Sequence, residues 1–251
     1  MNEEKHWNKI GSNYNDEIFD VFRSDRNKRL PVYFKKHANQ RHDAIDFGCG
    51  TGKSFRFIAP RFKNVLALDI SKELLAIASE TRYSNIRFRQ ADLTAARLNL
   101  PKADFAFCCN VVMLPRPGQN EKMFSNIYKS LKKGGTALFV LPALESALLS
   151  AGRLIEWYRK EGVAPNEIAE DELSGFRGSK RDIIQGLIQI DGVVTKHYTD
   201  RELHIILEQT GFEITALERL EYNWNTEFST PPKWMGAPYP WDWLVECRRK
   251  K

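Results

Sequence analysis

The sequence predicts an α/β fold, in which a mostly parallel sheet carries helices on both faces. Short apolar runs alternate with amphipathic segments from residue 43 to residue 142, which is the pattern of consecutive β-α-β units. A glycine-rich turn follows the first apolar run, and the same alternation returns after residue 193. One large α/β domain with an insertion is compatible with a chain of 251 residues.

The first elements follow from periodicity and from capping residues. A helical segment is expected within residues 1–42, and strands are expected at residues 44–47, 64–69, 85–90, 103–109 and 136–142. Ser71 is placed to cap the helix after the second strand, and Gly134 with Gly135 is placed to end the helix before the fifth.

The alternation breaks after Pro142. Two helical patterns, at residues 143–160 and 181–190, flank a polar stretch and predict a helical lid inserted over residues 143–192. The chain then gives a strand at 193–198, a helix from the capping box at Thr199 to the stop at Gly211, a strand at 212–222 and a last strand at 241–249. The expected domain therefore comprises residues 43–142 and 193–251, preceded by the helical segment 1–42.

Composition argues against several classes of protein. No apolar run approaches the roughly 18 residues that span a bilayer, and the first residues contain no secretory signal, so a cytoplasmic protein without a membrane partner is expected. The four cysteines form no CxxC pair, which favours free thiols over disulfides and predicts no metal site. The net charge is +6, but the lysines and arginines are mixed with acidic residues along most of the chain and form no basic stripe. A nucleic-acid partner is therefore only weakly supported. No oligomeric state is indicated.

The segment with most chemical information is a glycine loop. It runs from Asp46 through Gly48, Cys49 and Gly50 to Gly52, directly after the first apolar strand. Glycines at alternate positions let the backbone approach a ligand closely. The dinucleotide-binding motif places a third glycine where this chain has a lysine, and the Walker loop requires a glycine where it has a phenylalanine.

Further polar residues follow the next three strands. Asp69 ends the second strand, 21 residues after Gly48, where a carboxylate accepts hydrogen bonds from ribose hydroxyls in nucleotide-binding folds. Asp92 follows the third strand and Asn110 the fourth. Because open α/β sheets bind ligands at the carboxyl ends of their strands, these residues predict one adenosine-binding site.

The chain resembles class I S-adenosylmethionine-dependent methyltransferases in an ordered series of segments. These segments are DFGCGTG, LALDIS, ADL, the asparagine after the fourth strand, KKGG and YTDRELHIILEQTGFEI. The similarity covers residues 43–142 and 193–222. It implies a Rossmann-like, seven-stranded, mostly parallel sheet with an antiparallel last strand, S-adenosylmethionine as cofactor and S-adenosylhomocysteine as product.

The resemblance also implies roles for individual residues. Asp46 and the loop 48–52 would surround the methionine part of the cofactor, and Asp69, followed by Ile70, would bind the ribose. Asp92 and Leu93 would flank the adenine, and Asn110 would lie near the sulfonium. Tyr14 of the leading helix would close over the cofactor carboxylate. The plainer alternatives are a tight turn, a helix cap and core packing for these residues.

Methyl transfer is a direct displacement that needs alignment and exclusion of water, so no covalent catalytic residue is expected and none is assigned. His42 and His197 qualify as bases only by side-chain pKa, and structural roles are expected for both. Seven aromatic residues of the insertion and of the loop 223–240 suit a pocket for a small-molecule acceptor: Trp157, Tyr158, Phe176, Trp224, Phe228, Trp234 and Tyr239. The equal alternative is that these rings bury the insertion against the sheet. An RNA or protein methyltransferase and a non-catalytic cofactor-binding module remain the alternatives.

Overall fold

The computed structural model describes residues 4, 7 and 8, 19–190 and 192–250. Tyr14 lies outside the described residues, so its predicted role stays a prediction. None of the helices in the described part is both long enough and apolar enough to cross a membrane.

The first part of the chain builds the parallel strands. Its helices are α1 (Val21–Ser24), α2 (Arg29–Lys36), α3 (Phe55–Ile58), α4 (Lys72–Ser79) and α5 (Pro117–Ser130). Its strands are β1 (Asn39–Phe47), β2 (Phe62–Asp69), β3 (Ile86–Gln90), β4 (Ala103–Cys109) and β5 (Leu131–Pro142). The predicted cap of α4 is confirmed, because the Ser71 side chain accepts a hydrogen bond from the backbone N–H of Leu74.

The second part contains the insertion and the end of the sheet. Its helices are α6 (Leu144–Lys160), α7 (Lys180–Ile184) and α8 (Asp200–Thr210). Its strands are β6 (Leu187–Ile190), β7 (Val193–Lys196), β8 (Phe212–Glu221) and β9 (Trp241–Arg249). Helix α8 begins and ends as expected, with the Thr199 side chain as its cap and Gly211 in the left-handed conformation, φ 105°, after its last residue.

The main sheet has seven strands in the order β3-β2-β1-β4-β5-β9-β8. β1 pairs parallel with β2 and β4, β2 with β3, and β4 with β5. The last strand, β9, lies antiparallel between β5 and β8. The predicted fold class, a mostly parallel Rossmann-like sheet with an antiparallel last strand, is confirmed.

Alternate residues of the strands fill two hydrophobic cores, one on each face of the sheet. On one face Ile45, Phe139 and Val245 pack with side chains of α5 and α8. On the other face Phe105 and Leu138 pack with side chains of α2, α3 and α4. Burial on both faces explains why the central strands are nearly continuous apolar runs.

Two element predictions were wrong. The pattern at 181–190 forms only the short helix α7 and then β6, which pairs antiparallel with β7 in a separate two-stranded sheet. β7 was expected to continue the main alternation. Helix α5 ends at Ser130, and Gly134 and Gly135 lie in an irregular part of β5. Four-residue apolar runs do not distinguish a strand from a helical turn, so tertiary pairing decided the first case.

Candidate functional site at the carboxyl edge of the sheet

The parallel strands end at a common edge, where the chain reverses its direction across the sheet. From β1 the chain builds outward through β2 and β3, and then returns to place β4 on the other side of β1. In such folds, ligands bind in the crevice outside the strand ends at this point. Asp46 of β1 lies opposite Phe107 of β4. The glycine loop follows Asp46, and Asn110 follows Phe107, so both lie at this edge of the sheet.

The glycine loop needs glycine at more than one position. Gly48, Gly50 and Gly52 have φ values of 70°, 53° and 85°, in the left-handed region that other residues rarely adopt. A Cβ on Gly48 would lie 2.2 Å from a methyl group of Val111. The backbone of the loop therefore packs directly against the Val111 side chain in the segment after β4, and no larger residue fits at Gly48. The side chain of Cys49 packs in the core, and its backbone N–H donates to Leu68. Cys49 therefore shapes the loop.

Asp46 is a buried carboxyl beneath this loop, with 2% of its surface exposed. The Ser54 hydroxyl donates to one of its oxygens. Burial, together with the smaller effect of the charge of Asp69, raises the pKa of Asp46 to about 7, although the hydrogen bond from Ser54 opposes the shift. Asp46 is therefore a group whose charge changes near neutral pH.

Asp69 joins the glycine loop to the start of α4. Its Oδ2 accepts from the backbone N–H of Gly50 at 2.8 Å, and its Oδ1 accepts from that of Ser71 at 2.9 Å. Burial raises the pKa of Asp69, and these backbone donors counteract the increase. Each oxygen retains a second lone pair, so the carboxylate is held in place and still has acceptor capacity for a ligand.

The end of β3 borders the same crevice. Gln90 donates to the backbone carbonyl of Ile70 and to Glu4, each at 2.9 Å, which brings part of the amino-terminal segment to this edge. Asp92 is exposed and accepts from the backbone and the hydroxyl of Thr94. The side chain of Leu93 packs in the core, so Leu93 presents only its backbone here.

Asn110 follows β4 in the left-handed conformation, φ 51°, which asparagine tolerates better than most residues. Its Nδ2 donates to Oδ2 of Asp242 at 3.0 Å, and the hydroxyl of Tyr222 donates to the same oxygen at 2.8 Å. The Oδ1 of Asn110 is buried without a hydrogen-bond partner among the described residues. A buried acceptor without a donor indicates a place where a ligand supplies one.

Sequence reasoning missed Ser54, Tyr222 and Asp242. Asp242 could have been found from the expected antiparallel direction of the last strand. The first residues of an antiparallel strand lie at the edge where the parallel strands end, and Asp242 is the second residue of this strand. Register confirms this, because Asp242 pairs with Pro142 at the end of β5. Ser54 and Tyr222 carry no comparable signal, since a serine after a glycine loop and a tyrosine after a strand are common.

The two histidines considered as bases lie away from this edge. His42 is near the amino end of β1, where its ring contacts the side-chain amide of Asn39. His197 follows β7 and is buried, which lowers its pKa to about 4. Both have structural surroundings, as expected.

Some of the predicted acceptor-site aromatics do meet. The ring of Trp157 on α6 contacts Phe228 edge-to-face at 5.9 Å, and Phe228 stacks on Trp224 at 5.8 Å. Tyr239 instead packs under the guanidinium of Arg26. Helix α6 and the loop after β8 therefore form an aromatic cover beside the crevice.

The arrangement is rich in hydrogen-bond acceptors. Four carboxyl groups, from Asp46, Asp69, Asp92 and Asp242, and the amide oxygen of Asn110 surround the ends of β1 to β4 and the start of β9. The described residues contain no cluster of side chains suited to a metal ion. The crevice is therefore suited to an organic ligand that carries several N–H and O–H groups.

Known proteins resemble both the sequence and the fold. The profile of the methyltransferase domain family matches residues 44–135. A methyltransferase of Geobacillus sp. is 30% identical over 130 residues, 50% of this chain and 51% of that protein. The malonyl-[acyl-carrier protein] O-methyltransferase of Pectobacterium atrosepticum is 31% identical over 47% of this chain and 44% of its own. The matches thus span about half the length of these relatives.

Among solved structures, magnesium protoporphyrin IX methyltransferase from Synechocystis PCC 6803, with bound S-adenosylhomocysteine, superimposes with a TM-score of 0.63. The superposition covers 99% of this chain and 98% of that one at 14% identity, and it shows a shared fold.

Proposed function

We propose that this chain, a member of the class I S-adenosylmethionine-dependent methyltransferases, transfers a methyl group from that cofactor to a small-molecule acceptor. The observation that carries the proposal is the joint geometry of the glycine loop and Asp69. The loop is in left-handed backbone at three glycines, and Asp69 is hydrogen-bonded to it through Gly50. This places a fixed carboxylate beside a backbone surface that lacks side chains.

The residues present fit the cofactor chemically. S-adenosylmethionine carries an ammonium group, ribose hydroxyls and an adenine amino group, all of which donate hydrogen bonds. The crevice offers acceptors at corresponding places along the strand ends, including the unpartnered buried oxygen of Asn110. When bound, the cofactor supplies an activated methyl group on a sulfonium.

The chain's own residues bind and orient in this proposal. The glycine loop and Asp46 hold the methionine part, Asp69 with Ile70 holds the ribose, Asp92 and the Leu93 backbone border the adenine, and Asn110 lies near the reacting end. The aromatic cover of Trp157, Trp224 and Phe228 helps to exclude water. No covalent residue is required.

Two observations favour a small acceptor over RNA or protein. The insertion after β5 and the loop after β8 meet through aromatic rings beside the crevice, and such rings suit a flat or apolar small molecule. The phosphoethanolamine and trans-aconitate methyltransferases among the relatives are named for small acceptors, of which the first is an amine and the second an acid. A cytoplasmic location remains part of the proposal.

Calorimetric titration with S-adenosylmethionine and S-adenosylhomocysteine tests the proposal. We expect saturable binding that Asp69→Ala weakens at least about tenfold, because a charge-assisted hydrogen bond and the position of the loop are lost. Gly50→Val should abolish binding, since a β-branched residue is strained at φ 53°.

Asp43→Ala is the matched control, because Asp43 is a carboxylate in the middle of β1 that accepts a hydrogen bond from the side chain of Asn64. All variants are checked for folding by circular dichroism. Absence of binding at millimolar ligand by the folded wild-type protein would reject the proposed function.

A further inference from the structure

Asp242 is held in one orientation at the edge of the crevice. Its Oδ2 accepts from Asn110 and from Tyr222, at 3.0 Å and 2.8 Å. Tyr222 is itself fixed, since it is 3% exposed and its ring meets Phe19 edge-to-face at 4.8 Å. Two donors on one oxygen, of which one is rigidly packed, determine where the other oxygen points.

Oδ1 of Asp242 lacks a hydrogen-bond donor among the described residues. Both hydrogen bonds to Asp242 reach Oδ2, and within the described part of the chain no donor reaches Oδ1. The amide oxygen of Asn110 also has no partner there. The nearby donors, Nδ2 of Asn110 and the hydroxyl of Tyr222, are already used on Oδ2. Oδ1 of Asp242 is therefore open to a bound molecule that carries N–H or O–H groups.

The charges near Asp242 are mainly negative. Glu227 is close enough that the charge of Asp242 raises its pKa, together with the larger effect of desolvation. After the larger effect of burial, the charge of Asp25 contributes to raising the pKa of Tyr222. The charges of Asp46 and Asp20 contribute in the same way to raising the pKa of Cys109.

The cationic side chains around this edge have other contacts. Lys53 lies 3.5 Å from Asp20, Arg153 is paired with Glu156 at 2.7 Å, and Arg26 bonds Asn223 and covers Tyr239. Arg219 lies over the ring of Trp241 at 4.2 Å, and Nε of Arg153 is buried without a hydrogen-bond partner among the described residues. A carboxylate or phosphate placed directly against Asp242 would still meet the like charge of Asp242 itself.

We infer that Asp242, positioned by Tyr222 and Asn110, binds the nucleophilic N–H or O–H group of the acceptor, which is an amine or an alcohol rather than an acid. This inference rests on the proposed function and names the acceptor class for the same site. Asp242 is then a catalytic residue, because it contacts the reacting group, and Tyr222 is a positioning residue.

The reaction step balances with Asp242 as proton acceptor. The acceptor's N–H or O–H bond breaks, and its proton moves to Oδ1 of Asp242. The electron pair left on nitrogen or oxygen forms the bond to the methyl carbon, while the pair of the carbon–sulfur bond stays on sulfur. Burial raises the pKa of Asp242, which makes its carboxylate a better base than an exposed one.

The experiment compares wild type with Asp242→Asn, Tyr222→Phe and the control Asp43→Asn. Calorimetry with S-adenosylhomocysteine comes first, and we expect all four proteins to bind within about threefold of one another, since Asp242 faces the acceptor. Methyl transfer is then followed as S-adenosylhomocysteine release with 2-phenylethylamine, 2-phenylethanol and phenylacetate, and with hexylamine, hexanol and hexanoate. These probes share a skeleton within each set and differ in the reacting group.

We expect the amine or the alcohol of a set to be methylated and the acid not. Asp242→Asn should lower the rate by about 100-fold or more, the usual size of a general-base effect. In wild type the rate with an alcohol should rise with pH through the pKa of Asp242, and this dependence should vanish in Asp242→Asn. Because the Tyr222 hydrogen bond lowers the pKa of Asp242, Tyr222→Phe should move the midpoint to higher pH.

The outcomes separate the two proposals. If the protein binds no S-adenosylhomocysteine, the proposed function fails. If it binds the cofactor product but methylates only the acids, or none of the six probes, the acceptor class is wrong. If amines or alcohols are methylated equally well by Asp242→Asn, with an unchanged pH profile, the role of Asp242 is wrong.

Discussion

At the scale of single residues, the candidate site contains carboxyl groups that are removed from water, Asp46 and Asp69. Asp46 is the extreme case, because it is buried, lies near Asp69 and has one hydroxyl donor, Ser54. A buried acid with few donors destabilises the fold when it ionises. Such groups cluster at functional sites, where the binding of a ligand offsets the destabilisation.

The substitution Asp46→Asn should make stability less dependent on pH. The pKa of Asp46 is about 7 in the folded protein and about 4 in an unfolded chain. The folded state therefore holds more protons between these values, and its stability falls as pH rises from about 4 to 7. The asparagine variant should be more stable than wild type at pH 8, and the gain should shrink by roughly 1.4 kcal/mol per pH unit from pH 7 to pH 5.

Urea unfolding at pH 5 and pH 8 measures this difference. Asp43→Asn is the control, because Asp43 is a half-exposed carboxyl in the middle of the same strand, β1. A gain that is equal at both pH values, or larger at pH 5, would contradict the assignment to burial.

At the scale of elements, the sequence predicted helix ends correctly where the chemistry of a single residue determines the backbone conformation. Ser71 and Thr199 cap α4 and α8, and Gly211 ends α8, all as predicted from their types and positions. Gly134 and Gly135 have the same composition signal but lie inside an irregular strand, because β5 pairs with β4 from Leu131 onward. Pairing overrode the local preference there.

The cap of α8 provides a test that stability and cofactor binding are separable. Thr199→Ala removes the side-chain bond to the N–H of Glu202 and should lower the free energy of unfolding by about 1 kcal/mol. Thr199→Ser should retain most of it. Chemical denaturation measures the loss, and the affinity for S-adenosylhomocysteine should not change. A tenfold loss of affinity in Thr199→Ala would show that the helix start acts on the cofactor crevice.

At the scale of the whole molecule, the insertion after β5 is tied to the loop after β8 by side chains. Trp157 meets Phe228, Ser146 of α6 accepts from the backbone N–H of Trp241, and Arg153 donates to Ala237. These contacts hold α6 next to the start of β9, where Asp242 lies. The aromatic cover beside the crevice is therefore built by two segments distant in sequence.

Trp157→Ala should loosen this cover without changing the cofactor site. An aromatic pair contributes about 0.5–1.5 kcal/mol, so limited proteolysis in the loop 223–240 should be about two- to tenfold faster. Affinity for S-adenosylhomocysteine should stay within about twofold. Tyr158→Ala, the next residue on the same helix, is the control, because the hydroxyl of Tyr158 lies near Glu172 of the insertion instead. Unchanged proteolysis in Trp157→Ala would contradict the proposed contact.

The sequence by itself determined the positions of the first five strands along the chain, the glycine loop and the acids at the carboxyl ends of β1, β2 and β3. These features depend on local periodicity and on residue types that few backbone conformations accept, and both can be recognised within about ten residues. Only the tertiary structure brought Asn110 together with Tyr222 and Asp242, and paired β6 with β7. Such contacts join residues that are unrelated in local pattern, since an antiparallel strand returns to the same edge after more than a hundred residues.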